Sequence, residues 1–363
     1  MACLPLSIPE ADWHCPQSGS VQADTVIKGE REWSVILNRI LCVVNPHSAN
    51  GATGKKWPAM AKQLKEAALE FDSIFTTRPQ EAIDITRQAL SKGYNQIVAV
   101  GGDGTVHEVV NGFFSEGRPV NSQAFLGVIP CGTGSDLART LKLDCNLRQV
   151  AAAFNGASYR IIDLGKVCYL DHAGQAGERY FVNLADVGLG GETCRRVNSG
   201  SKAGGGFLSC LRGALGALFS YRNQNLAVLV DGREVYRGRA VSVAVANGRY
   251  FGGGMHMAPW AKINDGQFEV VIAGDLSKPD LLLNLYRLYR GTHLTHPKIS
   301  CCRGREIRIT VLPEKTGEQL PNFPENPAVD GCRPLIEVDG EQLGYAPAGF
   351  VILPGALKVK TGQ

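Results

Sequence analysis

The sequence predicts an α/β domain, three layers built on a parallel sheet, followed by a second, mainly antiparallel β domain, with a cleft between the two. Three observations predict it. Short runs rich in valine and isoleucine alternate with helical stretches from residue 40 to about residue 130, the pattern of a parallel sheet covered on both faces. From about residue 160 the period changes to short strands separated by turns, as in an antiparallel sheet. Glycine-rich turns follow two of the apolar runs in the first half, at the strand ends where open α/β sheets bind ligands.

The 363 residues suffice for two domains with substantial cores. The predicted division is a flexible tail over 1–35, a first domain over 36–158 completed by 350–363, and a second over 159–349. Residues 313–334 hold five prolines and little apolar content, and read as a mobile loop. A net charge of +4 does not argue for nucleic acid, and permits a basic face toward anionic lipid. The 11 cysteines are odd in number and form no C-x-x-C pair, which excludes a disulfide framework or a zinc site and points to a reducing compartment. No run of 18 or so apolar residues suggests a membrane span, and the first thirty residues lack the arginines of a transit peptide. The expectation is a cytoplasmic chain, peripheral at membranes, without signal peptide or transmembrane segment.

In chain order, Ile40-Leu-Cys-Val-Val44 reads as a buried strand ending in Asn45-Pro46. A basic, glycine-rich loop over 47–56 follows; its G-x-x-G-K is too short for a P-loop. A helix over about 57–71, a strand at 73–76 and a helix over about 80–91 lead to a strand at 96–100. The strand ends place Asn45, Thr76, Arg78 and the turn Gly101-Gly102-Asp103-Gly104-Thr105 on one side of the sheet. In that turn the glycines let bare backbone approach a ligand, and the helix that follows offers free N–H groups and a positive dipole end. Thr105-Val-His-Glu108 has the form of a capping box. Asp103, an acid in the middle of a phosphate cradle, suits metal binding or proton transfer. The turn is not the dinucleotide fingerprint, because His107 replaces the third glycine. Nor is the helix a zinc-protease helix, because Asn111 replaces the second histidine.

A strand at 124–129 runs into a second glycine turn, Pro130-Cys131-Gly132-Thr133-Gly134-Ser135-Asp136. The stretch 156–160 is the expected domain boundary. Strands are then expected at 180–184, 226–230, 240–246, 267–272, Glu306–Val311, Leu335–Val338 and, closing the chain, 350–353. Two helical stretches interrupt them: Phe207, Leu208, Leu211, Leu215, Leu218 and Phe219 at helical spacing, and the nearly apolar 281–289. Both read as core packing or as the walls of a slot for an acyl chain.

Gly101-Gly102-Asp103-Gly104-Thr105 with His107-Glu108-Val-Val-Asn111-Gly112 resembles the catalytic motif of the diacylglycerol kinase and sphingosine kinase superfamily. Through Phe113-Phe114 and the later segments the tighter likeness is to plant-type sphingoid long-chain base kinases, over about residues 38–355. The resemblance implies ATP and Mg²⁺ in the cleft, and nucleotide contacts from Asn45, Glu108, Gly132, Thr133 and Ser135. It also implies phosphate clamps at Arg195 and Lys202, and a D-G-E turn whose Asp339 and Glu341 meet the nucleotide. Asp103 would be the catalytic base, and Asp103 and Asp339 the metal ligands. Asp186 and Gly188 fall where the family meets the lipid head group; Gly188 stands where some sphingosine kinases carry an acid. The expected activity is ATP-dependent phosphorylation of the primary hydroxyl of a sphingoid base, an amphiphilic substrate reached by transient membrane contact. Diacylglycerol is the alternative substrate. An NAD kinase, which shares G-G-D-G-T, and an inactive lipid-binding module are the rivals.

Overall fold

The computed structural model describes residues 39–132, 134–143, 146–199, 216–313 and 333–361. Thr133, Lys202, most of the helical stretch at 207–219, the loop at 313–334 and the tail therefore lie outside the described residues, or nearly so.

The elements are β1 (Ile40–Val44), α1 (Ala52–Glu66), β2 (Asp72–Phe75), α2 (Glu81–Ser91), β3 (Gln96–Gly101), α3 (Asp103–Gly112), β4 (Phe114–Ser115), β5 (Arg118–Pro119), β6 (Phe125–Pro130), α4 (Asp136–Leu141) and α5 (Leu147–Asn155). Then come β7 (Tyr159–Leu170), β8 (Ala176–Phe181), β9 (Leu184–Gly188), α6 (Leu189–Ser199), β10 (Gln224–Val230), β11 (Arg233–Ala240), β12 (Ser242–Ala246) and β13 (Phe268–Ala273). The remainder is α7 (Lys278–Arg290), β14 (Ile299–Gly304), β15 (Glu306–Val311), β16 (Leu335–Val338) and β17 (Glu341–Lys360).

Strands β2, β1, β3 and β6 pair in parallel. Their side chains alternate between two cores, as the two-residue period of a strand requires. Ile40, Cys42, Val44, Val98 and Val100 face Trp57 and Leu64 of α1 and Val150 and Phe154 of α5. Leu41, Val43, Ile97 and Ala99 face Ala82 and Leu90 of α2, Val106 and Val110 of α3 and Leu137 of α4. This is the three-layer arrangement the alternating pattern predicts.

The second half is antiparallel: β9 pairs with β12 and β16, β12 with β13, β13 with β14, and β10 with β11 and β15. Its core holds Phe181, Phe268 and Phe350, all fully buried. The two halves share one 15-stranded sheet. The link is β17, whose earlier residues pair with β15, β16 and β7 and whose Lys358 and Val359 lie parallel to Phe125 and Leu126 of β6. The expected short closing strand at 350–353 is thus the middle of a 20-residue one.

Two helices differ from expectation. Helix α1 starts at Ala52 rather than near residue 57, because Gly51, at φ 83, turns the loop directly into it. Helix α7 is not packed into a core: none of its residues is buried.

Candidate active site

The two glycine turns meet. Strand β3 ends at Gly101 in register with Pro130 of β6, and Cys131 N–H donates to the Gly101 carbonyl at 2.8 Å. A Cβ on Gly102 would stand 3.2 Å from the Cα of Gly132, and one on Gly132 would overlap the Cα of Gly102. Neither position has room for a side chain, so the close approach itself requires glycine. Gly134 covers Asp103: a Cβ there would lie 2.9 Å from Asp103 Oδ2.

Asp103 opens α3, with Gly102 as an extended N-cap. The Thr105–Glu108 capping box is absent because the helix begins two residues earlier. Thr105 Oγ1 instead accepts from Asn45 Nδ2 at 3.1 Å, and Glu108 Oε2 accepts from Ala82 N–H at 3.2 Å. Asn45 also accepts from His47 N–H at 3.0 Å. The end of β1 thereby fixes the first turn of α3, whose leading N–H groups have no partner inside the helix. Asp103 Oδ1 accepts from Leu137 N–H at 3.3 Å. Burial, then the neighbouring Asp136 and Asp339 carboxylates, push the Asp103 carboxyl up to about 6.

Asp136 is buried. It accepts from Arg139 Nη1 at 2.9 Å and from Gly253 N–H at 2.8 Å, joining α4 to the glycine cluster at 250–255. Ser135, at φ 52, donates to the Gly132 carbonyl at 3.4 Å. Ser48 is a site residue that the sequence reading missed. A Cβ on Gly102 would lie 3.9 Å from its Oγ, which is buried without a hydrogen-bond partner among the described residues. Its signal was its place just after the Asn45-Pro46 strand end.

The D-G-E turn folds back to α3. His107 lies 3.4 Å from Asp339 Oδ2 and 3.8 Å from Glu341 Oε2. Burial opposes its protonation, but these two carboxylates outweigh it and raise the imidazole above its ordinary value. Asp339 accepts from the N–H groups of Val182 (2.8 Å), Asn183 (3.0 Å) and Leu184 (3.0 Å). Both oxygens are so engaged, and the carboxylate ties the turn to the end of β8 and the start of β9. Glu341 is more open, and a Cβ on Gly104 would sit 3.9 Å from its Oε1. Among the described residues no three His, Cys, Asp or Glu side chains gather to hold a metal ion.

Three other expected residues have partners of their own. Thr76 is buried and joins β1 through its backbone N–H. Arg78 pairs with Asp84 of α2 at 3.6 Å. Arg195 makes a two-pronged contact with Glu192 on its own helix, at 2.9 and 2.7 Å.

Asp186 is 1% exposed. It accepts from Gly190 N–H at 2.8 Å and from the Ser242 hydroxyl, sits beneath the start of α6, and is pushed up to about 6 by burial. Its partner in register, Glu337, is also buried, which holds that carboxyl well above the carboxylate range. Gly188 has φ +133, and a Cβ there would meet the Val241 carbonyl, Ser242 Cα at 3.0 Å and Tyr221 Oη at 3.1 Å. The backbone therefore excludes the acid that some sphingosine kinases carry at this position.

Residues 39–167 match the diacylglycerol kinase catalytic domain. Residues 184–361 match the YegS C-terminal NAD kinase beta sandwich-like domain. A diacylglycerol kinase of Staphylococcus carnosus (strain TM300) is 26% identical over 324 residues, 89% of this chain and 95% of that protein. One from Staphylococcus haemolyticus (strain JCSC1435) is 28% identical over 324 residues, 88% of this chain and 87% of that protein. In fold, the chain is similar to a diacylglycerol kinase crystal structure from Bacillus anthracis str. Sterne, with TM-score 0.60, 20% identity, and coverage of 89% of this chain and 97% of that one. The match over 39–167 and these relatives make the chain a lipid kinase. They carry nothing specific to plant-type sphingoid base kinases.

Proposed function

We propose that the protein transfers the γ-phosphoryl group of ATP to the primary hydroxyl of a neutral diacyl lipid of the diacylglycerol class. The observation that carries the transfer chemistry is the contact of the two glycine turns, Gly102 against Gly132, with Asp103 beneath Gly134. Bare backbone from both turns and the free N–H groups at the start of α3 form a cradle for phosphate oxygens. Ser48 Oγ, buried and unpartnered, supplies a further donor aimed at the same turn.

Asp103 accepts the proton of the attacking hydroxyl. A carboxyl at about 6 is a stronger base than an ordinary one and is still mostly ionised at neutral pH. Glu341, beside Gly104, is placed to orient the hydroxyl or share that work. Phosphoryl transfer rests mainly on position and charge neutralisation, so two carboxylates and a donor-lined cradle suffice. Mg²⁺ bound with the nucleotide would be held by Asp103 and the phosphates, a set that suits a cation taking one or two carboxylates, and would neutralise charge on the phosphates.

Two observations turn the substrate reading from the sphingoid base toward diacylglycerol. Gly188 cannot be replaced by an acid without moving backbone, and Asp186 is committed beneath α6. A protonated amine brought out of water would lack a free carboxylate there. The names of the relatives favour the same substrate. Transfer of label from γ-labelled ATP to diacylglycerol, sphinganine, ceramide and NAD, each offered separately, tests this. The expected product is the phosphorylated diacylglycerol. Faster labelling of sphinganine would restore the sphingoid reading, and labelling of NAD alone would remove the lipid.

A further inference from the structure

Helix α7 buries none of its residues, and most of its apolar side chains lie outward. A surface helix normally buries its apolar stripe. Here the half-buried side carries Asp280, Leu281, Asn284, Arg287 and Leu288, while Leu282, Leu283, Leu285, Tyr286 and Tyr289 face solvent at 40%, 73%, 39%, 54% and 49% exposure. Two exposed aromatics flank its ends. Lys278 Nζ at the start of α7 contacts the carbonyl of Phe219, whose side chain is 61% exposed. Gly291, just past its end, packs on His256 and Pro259, next to Trp260 at 59% exposure.

The charge on this helix is mainly positive. Lys278, Arg287 and Arg290 are its cations, and the two arginines lie 6.0 and 5.7 Å from the ring centre of Tyr286. Its one acid, Asp280, is held in a capping box with Ser277. Leucines beside tyrosines, ringed by cations, suit a bilayer boundary where apolar groups enter and long cationic side chains reach anionic head groups. We propose that α7, with Phe219 and Trp260, docks the protein on a bilayer containing anionic lipid.

The position suits the proposed chemistry, and to that extent the inference rests on the lipid-kinase reading. His256 N–H donates to Leu288 of α7 at 2.9 Å, and the His256 ring stacks on Tyr250 at 4.7 Å. Two residues beyond Phe251, in the same loop, Gly253 donates to Asp136 and lies against Gly134. A single loop thus separates the docking face from the turn above Asp103.

The test is co-sedimentation of the full chain with vesicles of equal parts phosphatidylcholine and phosphatidylglycerol, without ATP or acceptor lipid. The wild-type protein is expected to pellet with these vesicles at least about tenfold more tightly than with phosphatidylcholine alone. Leu283→Glu combined with Tyr286→Glu should weaken this at least about tenfold, because each charge replaces an apolar contact. Arg290→Gln should weaken it about fivefold, the worth of one cation near an anionic surface. All three positions are exposed, so an unchanged melting temperature is expected of each variant. Wild-type protein that stays in solution, or a double variant that pellets like wild type, overturns the proposal. So does a double variant that binds vesicles normally but loses a self-association seen in wild type, which would give the face to a second copy. Turnover of diacylglycerol dispersed in detergent micelles, measured in parallel, should be equal in wild type and double variant. Its absence in wild type would count against the lipid-kinase reading while leaving the vesicle result intact.

Discussion

A carboxylate set beneath two glycine turns, facing Asp136 and Asp339, is disfavoured as an anion by burial and by like charge. A carboxyl raised in the folded state binds its proton more tightly there than in the unfolded chain. Its contribution therefore favours the fold at low pH and is lost as pH rises through about 6. Asp103→Asn should accordingly lower turnover at least about a hundredfold, yet raise thermal stability at neutral pH by the equivalent of about 1 kcal/mol. Calorimetry and a turnover assay on the same preparation check both halves. More than about a tenth of wild-type turnover, a loss below about 1.4 kcal/mol, would remove Asp103 as base. The same titration predicts that wild-type kcat/KM falls as pH drops through about 6. Gly132→Ala should weaken ATP binding at least about tenfold while the chain stays folded, since its methyl would meet backbone at Gly102; titration calorimetry with ATP reads it. At this scale the sequence carried the two turns and the acid, because glycine spacing is local. It did not carry the contact between Gly102 and Gly132, which depends on the register of β3 against β6. Nor did it carry Ser48, whose role depends on what it faces.

Helix α3 is clamped from the second half through one side chain. His107 stands between Asp339 and Glu341, and its raised proton affinity is a stabilising interaction present below the ordinary imidazole value of 6.5 and lost as pH rises through the higher folded one. His107→Gln should lower stability by about 1 kcal/mol at pH 6, and by less at pH 9; parallel melting curves at the two pH values would show it, and an equal shift at both would put the effect in packing. Asp186 makes a comparable clamp on α6 through Gly190 and Ser242. Asp186→Ala is therefore expected to reduce kcat/KM for charged and neutral lipid acceptors by the same factor; a loss confined to sphinganine would return Asp186 to the head group. The sequence marked both acids by motif, but motif position does not tell a saturated carboxylate from a free one. Asp339, with three backbone donors, illustrates this. The alternating first half was legible because buried strands and amphipathic helices have different periods. The core-packing reading of helix α7 failed because an apolar run has the same composition whether it faces a core or the outside.

Across the whole molecule, a change of period near residue 160 suggested two separate bodies, yet one sheet runs through residues 40–360. A continuous sheet predicts a single cooperative transition for this unit. Ending the chain at Gly355 should melt the parallel half along with the antiparallel one, seen as one lowered transition rather than the loss of a separate one. The pairing that closes this sheet also sets an order of events during synthesis. The flank of β6 at Phe125 and Leu126 has no partner until Lys358 and Val359 have been made. At about 5–20 residues per second the intervening chain takes roughly 10–50 s to emerge. For that time the ribosome carries an apolar strand with an open edge, the template on which unrelated strands pair. Demand for a chaperone should therefore peak while the second half is being translated, and fall once β17 has left the exit tunnel.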